Sequence, residues 1–284
     1  VIFSAALPAT SIAVRELSPG FLSTSRAAVA AVLAAAALIM AGARRPSRTE
    51  SRGLALVAAA AIIGAPLLTS ISLQDLTSSH AAVVTATLPA ITAVLVVLRT
   101  REHPGTVFWV LAALGCLAAI AFAGARHGGA FSLSSADLVL LGAVACSAVG
   151  YSEGAVVARS LGAWQTICWS LVIAAPVTVV ASVIDVLRQP PQASLRAWLA
   201  VFYLGAFCMF LGYFAWYSGL AAGPIAQVSQ IQLIQPVLTL GWAVVLLGEG
   251  VTAAMVMAAA AVALLSGLAS TARGEARAPA PPSS

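Results

Sequence analysis

Lysine is absent from this 284-residue sequence, and charged residues supply only 8% of it. Soluble domains carry about 25% charge, so a chain this poor in charge cannot cover itself for water. With 61% hydrophobic residues and a mean hydropathy of +1.01, it reads as an integral membrane protein. The formal charge of +5 rests on fourteen arginines, which cluster between apolar runs. That clustering is a topology signal rather than a nucleic-acid surface. Cys116, Cys146, Cys168 and Cys208 all lie inside apolar runs without metal-ligand spacing. They are expected to be small packing residues and indicate no redox compartment.

Catalytic signatures are missing as well. There is no HExxH, no P-loop and no carboxylate-rich phosphate site. His80, His103 and His127 are expected near helix ends on scattered loops, and no serine or cysteine nucleophile has a base nearby in sequence. No enzyme activity, metal or cofactor is therefore expected, and without a nucleotide-binding motif the chain cannot itself be an ATP-driven pump. The sequence opens at Val1 without methionine, and its first apolar run, Val1 to Val14, lacks the basic flank of a signal peptide. That run is also shorter than the roughly 20 residues a spanning helix needs, so the expectation is the back end of a helix whose start is missing.

What is present is a succession of ten apolar runs, at about 1–14, 20–42, 53–73, 78–98, 104–125, 136–158, 162–187, 196–221, 224–248 and 250–271. Most are long enough to span a bilayer with some tilt. The fold class expected is an all-α integral membrane protein of ten transmembrane helices. After Thr271, the sequence RGEARAPAPPSS is polar and proline-rich, which predicts a disordered tail over 272–284. With the N-terminus in the cytoplasm, Arg44, Arg45, Arg48, Arg52, Arg99, Arg101, Arg159, Arg273 and Arg277 fall on the inner side. Arg15, Arg126, Arg188 and Arg196 fall on the outer side. Nine inner arginines against four outer ones place both termini in the cytoplasm.

The ninth run, Gly223 to Glu249, carries Gln227, Gln230, Gln232 and Gln235 and has Pro236 near its middle. Amides in lipid must find partners away from hydrocarbon, so this helix belongs in a bundle facing protein or a water-filled cavity. A twin lies 147 positions earlier, from Thr77 to Glu102. Pro89 stands opposite Pro236, Thr92 opposite Thr239 and Glu102 opposite Glu249, without a gap. A polar, proline-interrupted helix in each half of a chain points to a transporter's substrate site. The halves meet at the glycine- and serine-rich linker 126–136, which leaves a first repeat over 1–125 and a second over 137–271. Five helices in each make the second copy enter from the opposite side, an inverted-topology repeat.

Ten helices in a five-plus-five repeat resemble the drug/metabolite transporter superfamily, EamA type. The resemblance is carried by the polar fourth helix of each copy with its proline and closing glutamate, here PAITAVLVVLRTRE and PVLTLGWAVVLLGE, and by Arg26 early in the second helix. The first copy departs from the LGE ending with TRE. The resemblance implies an inner-membrane carrier of small organic solutes, often an exporter.

On a helical wheel Ser78, Thr85, Pro89 and Thr92 share one direction. Adding 147 turns the last three into Gln232, Pro236 and Thr239, with Gln235 beside them. Two readings stand for these stripes. They face each other across a central cavity and hold the solute by hydrogen bonds, or they are interhelical glue worth only about 0.6 kcal/mol per contact. The prolines remove a backbone donor, which serves either a moving bend or a fixed kink. Gln227 and Gln230 point elsewhere, toward glue. Glu102 and Glu249 are expected to cap the helix that follows each of them, and Pro104 suits the first turn of the fifth helix. An aromatic ridge of Tyr203, Phe207, Phe210, Phe214 and Tyr217, flanked by Tyr213 and Trp216, lines a pocket or packs against lipid and protein. Gly142, Cys146, Gly150 and Gly154 form a small-residue seam for close helix approach. Arg26 either snorkels to headgroups or Glu16, or joins Glu153 as a candidate for proton coupling. Both are ionisable groups inside apolar runs.

Overall fold

The computed structural model describes residues 1–100, 105–124, 134–223, 225–228, 232 and 234–271. Within them every regular element is helical. In chain order these are α1 (Ile2–Val14), α2 (Pro19–Met40), α3 (Arg48–Ser72), α4 (Ser78–Thr85 and Leu88–Thr100), α5 (Thr106–Gly124), α6 (Ser135–Leu161), α7 (Ala163–Arg188), α8 (Leu195–Ala222), α9 (Ile225–Val228 and Ile234–Leu247) and α10 (Ala253–Thr271). Among the described residues α2, α3, Ser78–Val96 of α4, α6, α7 and α8 are long and apolar enough to cross a membrane, whereas Ile2–Val14 and Ile234–Leu247 are shorter. Residues 126–133 of the expected linker, the tail 272–284, Glu102, Pro104 and Gln230 lie outside the described residues.

The helices begin where the sequence supplies caps. Ser18 accepts from the Phe21 N–H ahead of Pro19, and Ser47 with Glu50 and Ser134 with Asp137 form capping boxes. Thr77 and Ser194 accept from His80 and Ala197. Each such side chain satisfies a backbone donor that the helix cannot, worth about 1 kcal/mol. Gly162 alone joins the long helices α6 and α7, at φ +95°, a conformation open to glycine because it has no Cβ.

The helix ends recur at the spacing read from sequence. Val14 and Leu161, the last residues of α1 and α6, are 147 apart, as are the first residues of α3 and α8, Arg48 and Leu195, and of α5 and α10, Thr106 and Ala253. The capping serines Ser47 and Ser194 keep the same offset. The interruptions fall at similar but not identical places. A π-helical stretch, Ala58–Gly64, sits in α3, and another, Tyr203–Gly212, sits in α8. Such stretches are rare and recur at functional sites. Counterparts also pack on one another: α2 on α7, α4 on α9 and α5 on α10.

Polar contacts tie the bundle at both ends. At one end the Ser11 and Ser78 hydroxyls meet at 2.7 Å, and Glu16 accepts from the N–H of Ser194 at 2.6 Å and its hydroxyl at 2.8 Å. Those bonds hold the Glu16 carboxyl below its ordinary value. At the other, Arg44 pairs with Glu50 at 2.8 Å, and Ser160 donates to the same carboxylate at 3.0 Å. Between the ends the interior is largely apolar, while Val177, Val180, Val183 and Leu187 of α7 and Val32 and Ile39 of α2 face outward. An outside lined this way suits hydrocarbon rather than water.

The seam on α6 packs as its small residues suggest. A Cβ on Gly150 would stand 2.3 Å from the Cβ of Ala61, one on Gly64 would stand 3.2 Å from Cys146 Sγ, and one on Gly142 would stand 3.4 Å from Leu68. α3 therefore lies directly on α6, which brings the residues around Tyr151 toward α8 and α9.

Candidate functional site

The stripe on α9 is stitched to two other helices, α6 and α1. Gln232 is buried and donates from Nε2 to the Tyr151 phenol of α6 at 3.3 Å. Gln235 donates to the Phe3 carbonyl of α1 at 3.4 Å. The fully buried Thr239 hydroxyl lies 2.8 Å from the Ser4 carbonyl and 2.9 Å from the Gln235 carbonyl. Trp242 donates to the Ser4 hydroxyl at 3.1 Å. Pro236, lacking an N–H, is buried near the start of the longer piece of α9.

The stripe on α4 behaves differently. Thr85 is half-buried and returns its hydroxyl to the Ala81 carbonyl at 2.8 Å, and the buried Thr92 does the same to Leu88 at 2.8 Å. Pro89 sits just after a break at Ala86 and Thr87, so the donor it lacks falls in the first turn of a new helical piece. Thr85, Pro89 and Thr92 therefore lie on the helix packed against α9, but their hydroxyls bond within α4.

Aromatic rings close over the α9 stripe. Tyr213 stands 5.5 Å from Phe3, 6.0 Å from Tyr151 and 5.4 Å from Tyr217, centroid to centroid, and Trp216 lies 5.4 Å from Tyr151. Tyr217 is fully buried and donates to the Gly150 carbonyl at 3.0 Å. This corrects the ridge drawn on an ideal wheel. The π-helical stretch Tyr203–Gly212 alters the winding of α8, so Phe207 is exposed while Tyr213, expected only to flank the ridge, is buried. Tyr151, Phe3, Ser4 and Trp242 were not singled out from sequence. Two polar atoms in this belt have no hydrogen-bond partner although they are buried: Gln232 Oε1 and Trp216 Nε1. An open groove of about 650 Å³ lies apart from the belt, between the α1–α2 and α7–α8 turns, and none of the expected site residues lines it.

Comparison with known proteins sets this belt in context. The sequence profile of the EamA-like transporter family matches residues 1–124 and again 134–271. The chain belongs to that family. An uncharacterized transporter of Bacillus subtilis (strain 168), YdeK, is 41% identical over 256 residues, covering 90% of this chain and 88% of its own. A crystal structure of another protein, 18% identical, matches with a TM-score of 0.65 over 94% of each chain, a likeness of fold. This EamA-like protein is a multi-pass membrane transporter.

The ionisable groups of this EamA-like transporter are distributed as follows. Arg26 of α2 is 6% exposed and its Nε has no hydrogen-bond partner. It does not snorkel, and it does not meet Glu16, whose carboxylate is taken by Ser194. Glu153 of α6 is buried, with Oε2 3.8 Å from where a Cβ on Gly53 of α3 would stand. Its neighbour along the chain, Arg159, donates to the Gly223 carbonyl at 3.1 Å. His80 is not on a loop. It is fully buried in the first turn of α4, with Nε2 2.7 Å from Asp137 Oδ1 of α6. The pair joins the two halves at one end of the bundle.

Proposed function

We propose that this transporter is a ten-helix secondary carrier that exports a small organic solute (a metabolite, an amino acid or a drug-like compound) across the inner membrane by alternating access. Residues 1–125 and 137–271 form its two inverted five-helix repeats, joined by 126–136, and both termini lie in the cytoplasm. The solute site lies between α4 and α9, among Thr85, Pro89, Thr92, Gln232, Gln235, Pro236 and Thr239, with Tyr213 and Tyr217 over it. The observation that carries this reading is that α4, broken at Ala86 and Thr87, packs on α9 with Pro89 and Pro236 at an offset of 147. A proline-interrupted helix frees backbone groups that a cavity, water or solute can satisfy, and such helices in two repeats point to a transporter's solute site.

Untargeted metabolite comparison between cells lacking and overproducing the protein identifies the solute, and uptake into proteoliposomes tests the mechanism. Net accumulation of solute against its own gradient under an imposed ion gradient supports the carrier. Uptake that only equilibrates makes the protein an uncoupled facilitator. Reconstituted, folded protein with no selective uptake of any enriched metabolite makes it a scaffold with a transporter fold.

A further inference from the structure

A buried cation without a counter-ion is an unusual thing to keep inside a membrane bundle. Arg26 is such a cation. It is 94% removed from solvent, Nε has no partner, and no carboxylate lies within salt-bridge distance of it among the described residues. The backbone of α8 presses on α2 at this level, where a Cβ on Gly205 would stand 2.7 Å from the Arg26 carbonyl oxygen. Desolvating a guanidinium is costly, and intramembrane charges that persist pair with one another or line a pathway.

The turn of α2 that carries Arg26 packs into the region of the other unmet groups: Ala27 and Ala30 belong to the same core cluster as Tyr151, Tyr213 and Tyr217, with Trp216 and Phe3 packed against it. That cluster holds Trp216 Nε1, a donor without an acceptor, and Gln232 Oε1, an acceptor without a donor. A planar cation with a fork of donors matches a carboxylate in geometry as well as charge. Rings around it bury an apolar or aromatic body.

We infer that Arg26 is the anion anchor of the solute site, and that the solute is an organic carboxylate whose apolar or aromatic body lies against Tyr151, Tyr213 and Trp216. This rests on the carrier reading above and deepens it. When the site is empty the guanidinium is uncompensated. When the solute enters, its carboxylate supplies the missing counter-ion and the pair crosses with reduced charge.

The test uses the full chain in phosphatidylcholine nanodiscs and three probes of one shape: 3-phenylpropionate, its primary amide and phenethylamine. Tryptophan fluorescence, with Trp216 in the site, reads binding. The carboxylate is expected to bind at least tenfold more tightly than the amide, and the amine least of all. Arg26→Gln should abolish the carboxylate preference while amide affinity stays within a few-fold, and Arg26→Lys should retain part of it. Removing an uncompensated charge should also leave the unliganded Arg26→Gln variant at least as heat-stable as the parent, whereas a structural ion pair would make it less so. Equal affinity for carboxylate and amide, a preference that survives Arg26→Gln, or no binding of any probe to folded protein overturns the anchor. Proteoliposome uptake separates the two readings. Carboxylate binding without uptake keeps the anchor and sinks the carrier. Uptake that ignores the carboxylate keeps the carrier and sinks the anchor.

Discussion

Glu249, just beyond the end of α9, caps the start of α4. Its carboxylate accepts from the Ser78 N–H at 3.0 Å, from the Ser79 N–H at 2.9 Å and from the Ser79 hydroxyl at 2.6 Å. The sequence suggested a cap for the following helix, α10. That helix has its own, because Thr252 accepts from the Met255 N–H at 3.3 Å. The closing glutamate of one twin therefore stabilises the opening turn of the other, where free N–H groups and the helix dipole favour an anion.

Glu249→Ala should accordingly destabilise the protein by about 0.5–2 kcal/mol, the usual effect of losing a helix cap. Glu249→Gln, which retains an acceptor, should lose less. Thermal unfolding in detergent measures both, and an alanine variant as stable as the parent would show that the cap contributes nothing.

Gly154 offers a sharper test of packing. A Cβ there would stand 2.3 Å from the Tyr217 ring, which is fully buried and tied to Gly150. Gly154→Ala should cost about 1–3 kcal/mol, because the overpacked ring cannot retreat without breaking its bond. Gly142→Ala, whose Cβ would meet only Leu68 at 3.4 Å, should be much milder. Equal effects at the two positions would mean that the seam is looser than its distances imply.

The topology carries a prediction of its own. Reporter fusions after Arg48 and after Arg277 should both report cytoplasm, given nine arginines on one side and four on the other. Opposite locations would break both the ten-helix count and the inverted repeat.

What could be read from sequence follows from where the information sits. Helix extents are local: apolar runs bounded by Ser47, Thr77 or Ser194 state their own starts, and the offset of 147 gave the twins before any contact was known. The candidate site was legible on α9, where Gln232 and Thr239 are polar against an apolar background. Tyr151 was not, since one tyrosine in an apolar helix carries no signal until α3 and α6 close on their small residues. Ser4 and Phe3 were hidden for another reason. They act mainly through backbone carbonyls, which every residue has. On α8 the ideal wheel misled because a π-helical stretch changes the angle per residue. No propensity scale marks that stretch.

Cysteine accessibility addresses the solute site. In a background lacking Cys116, Cys146, Cys168 and Cys208, single cysteines at Thr85, Thr92, Gln232, Gln235 and Thr239 should react with a water-soluble thiol reagent and be shielded by the solute. Gln235, half-buried, should react faster than the fully buried Thr239. A set that stays unreactive in every condition is glue between helices, and the site assignment fails.

The last prediction concerns Glu153 as a proton carrier. It is buried on α6 against the first turns of α3, where Gly53 leaves no side chain between helix and carboxylate. Alternating access requires helices to shift against one another, and a shift here changes the water reaching Glu153. A carboxylate such as Asp at the centre of a membrane helix costs about 2.5–3.5 kcal/mol on the insertion scale, and an ionisable group kept inside a membrane helix marks a candidate proton relay. Glu153→Gln fixes the neutral form. Solute exchange should survive at least in part, because both conformations remain reachable, but the dependence on a pH gradient should disappear. Proteoliposomes with an imposed pH gradient decide it. If the variant accumulates solute with the parent's pH dependence, Glu153 is a packing residue and the coupling lies elsewhere.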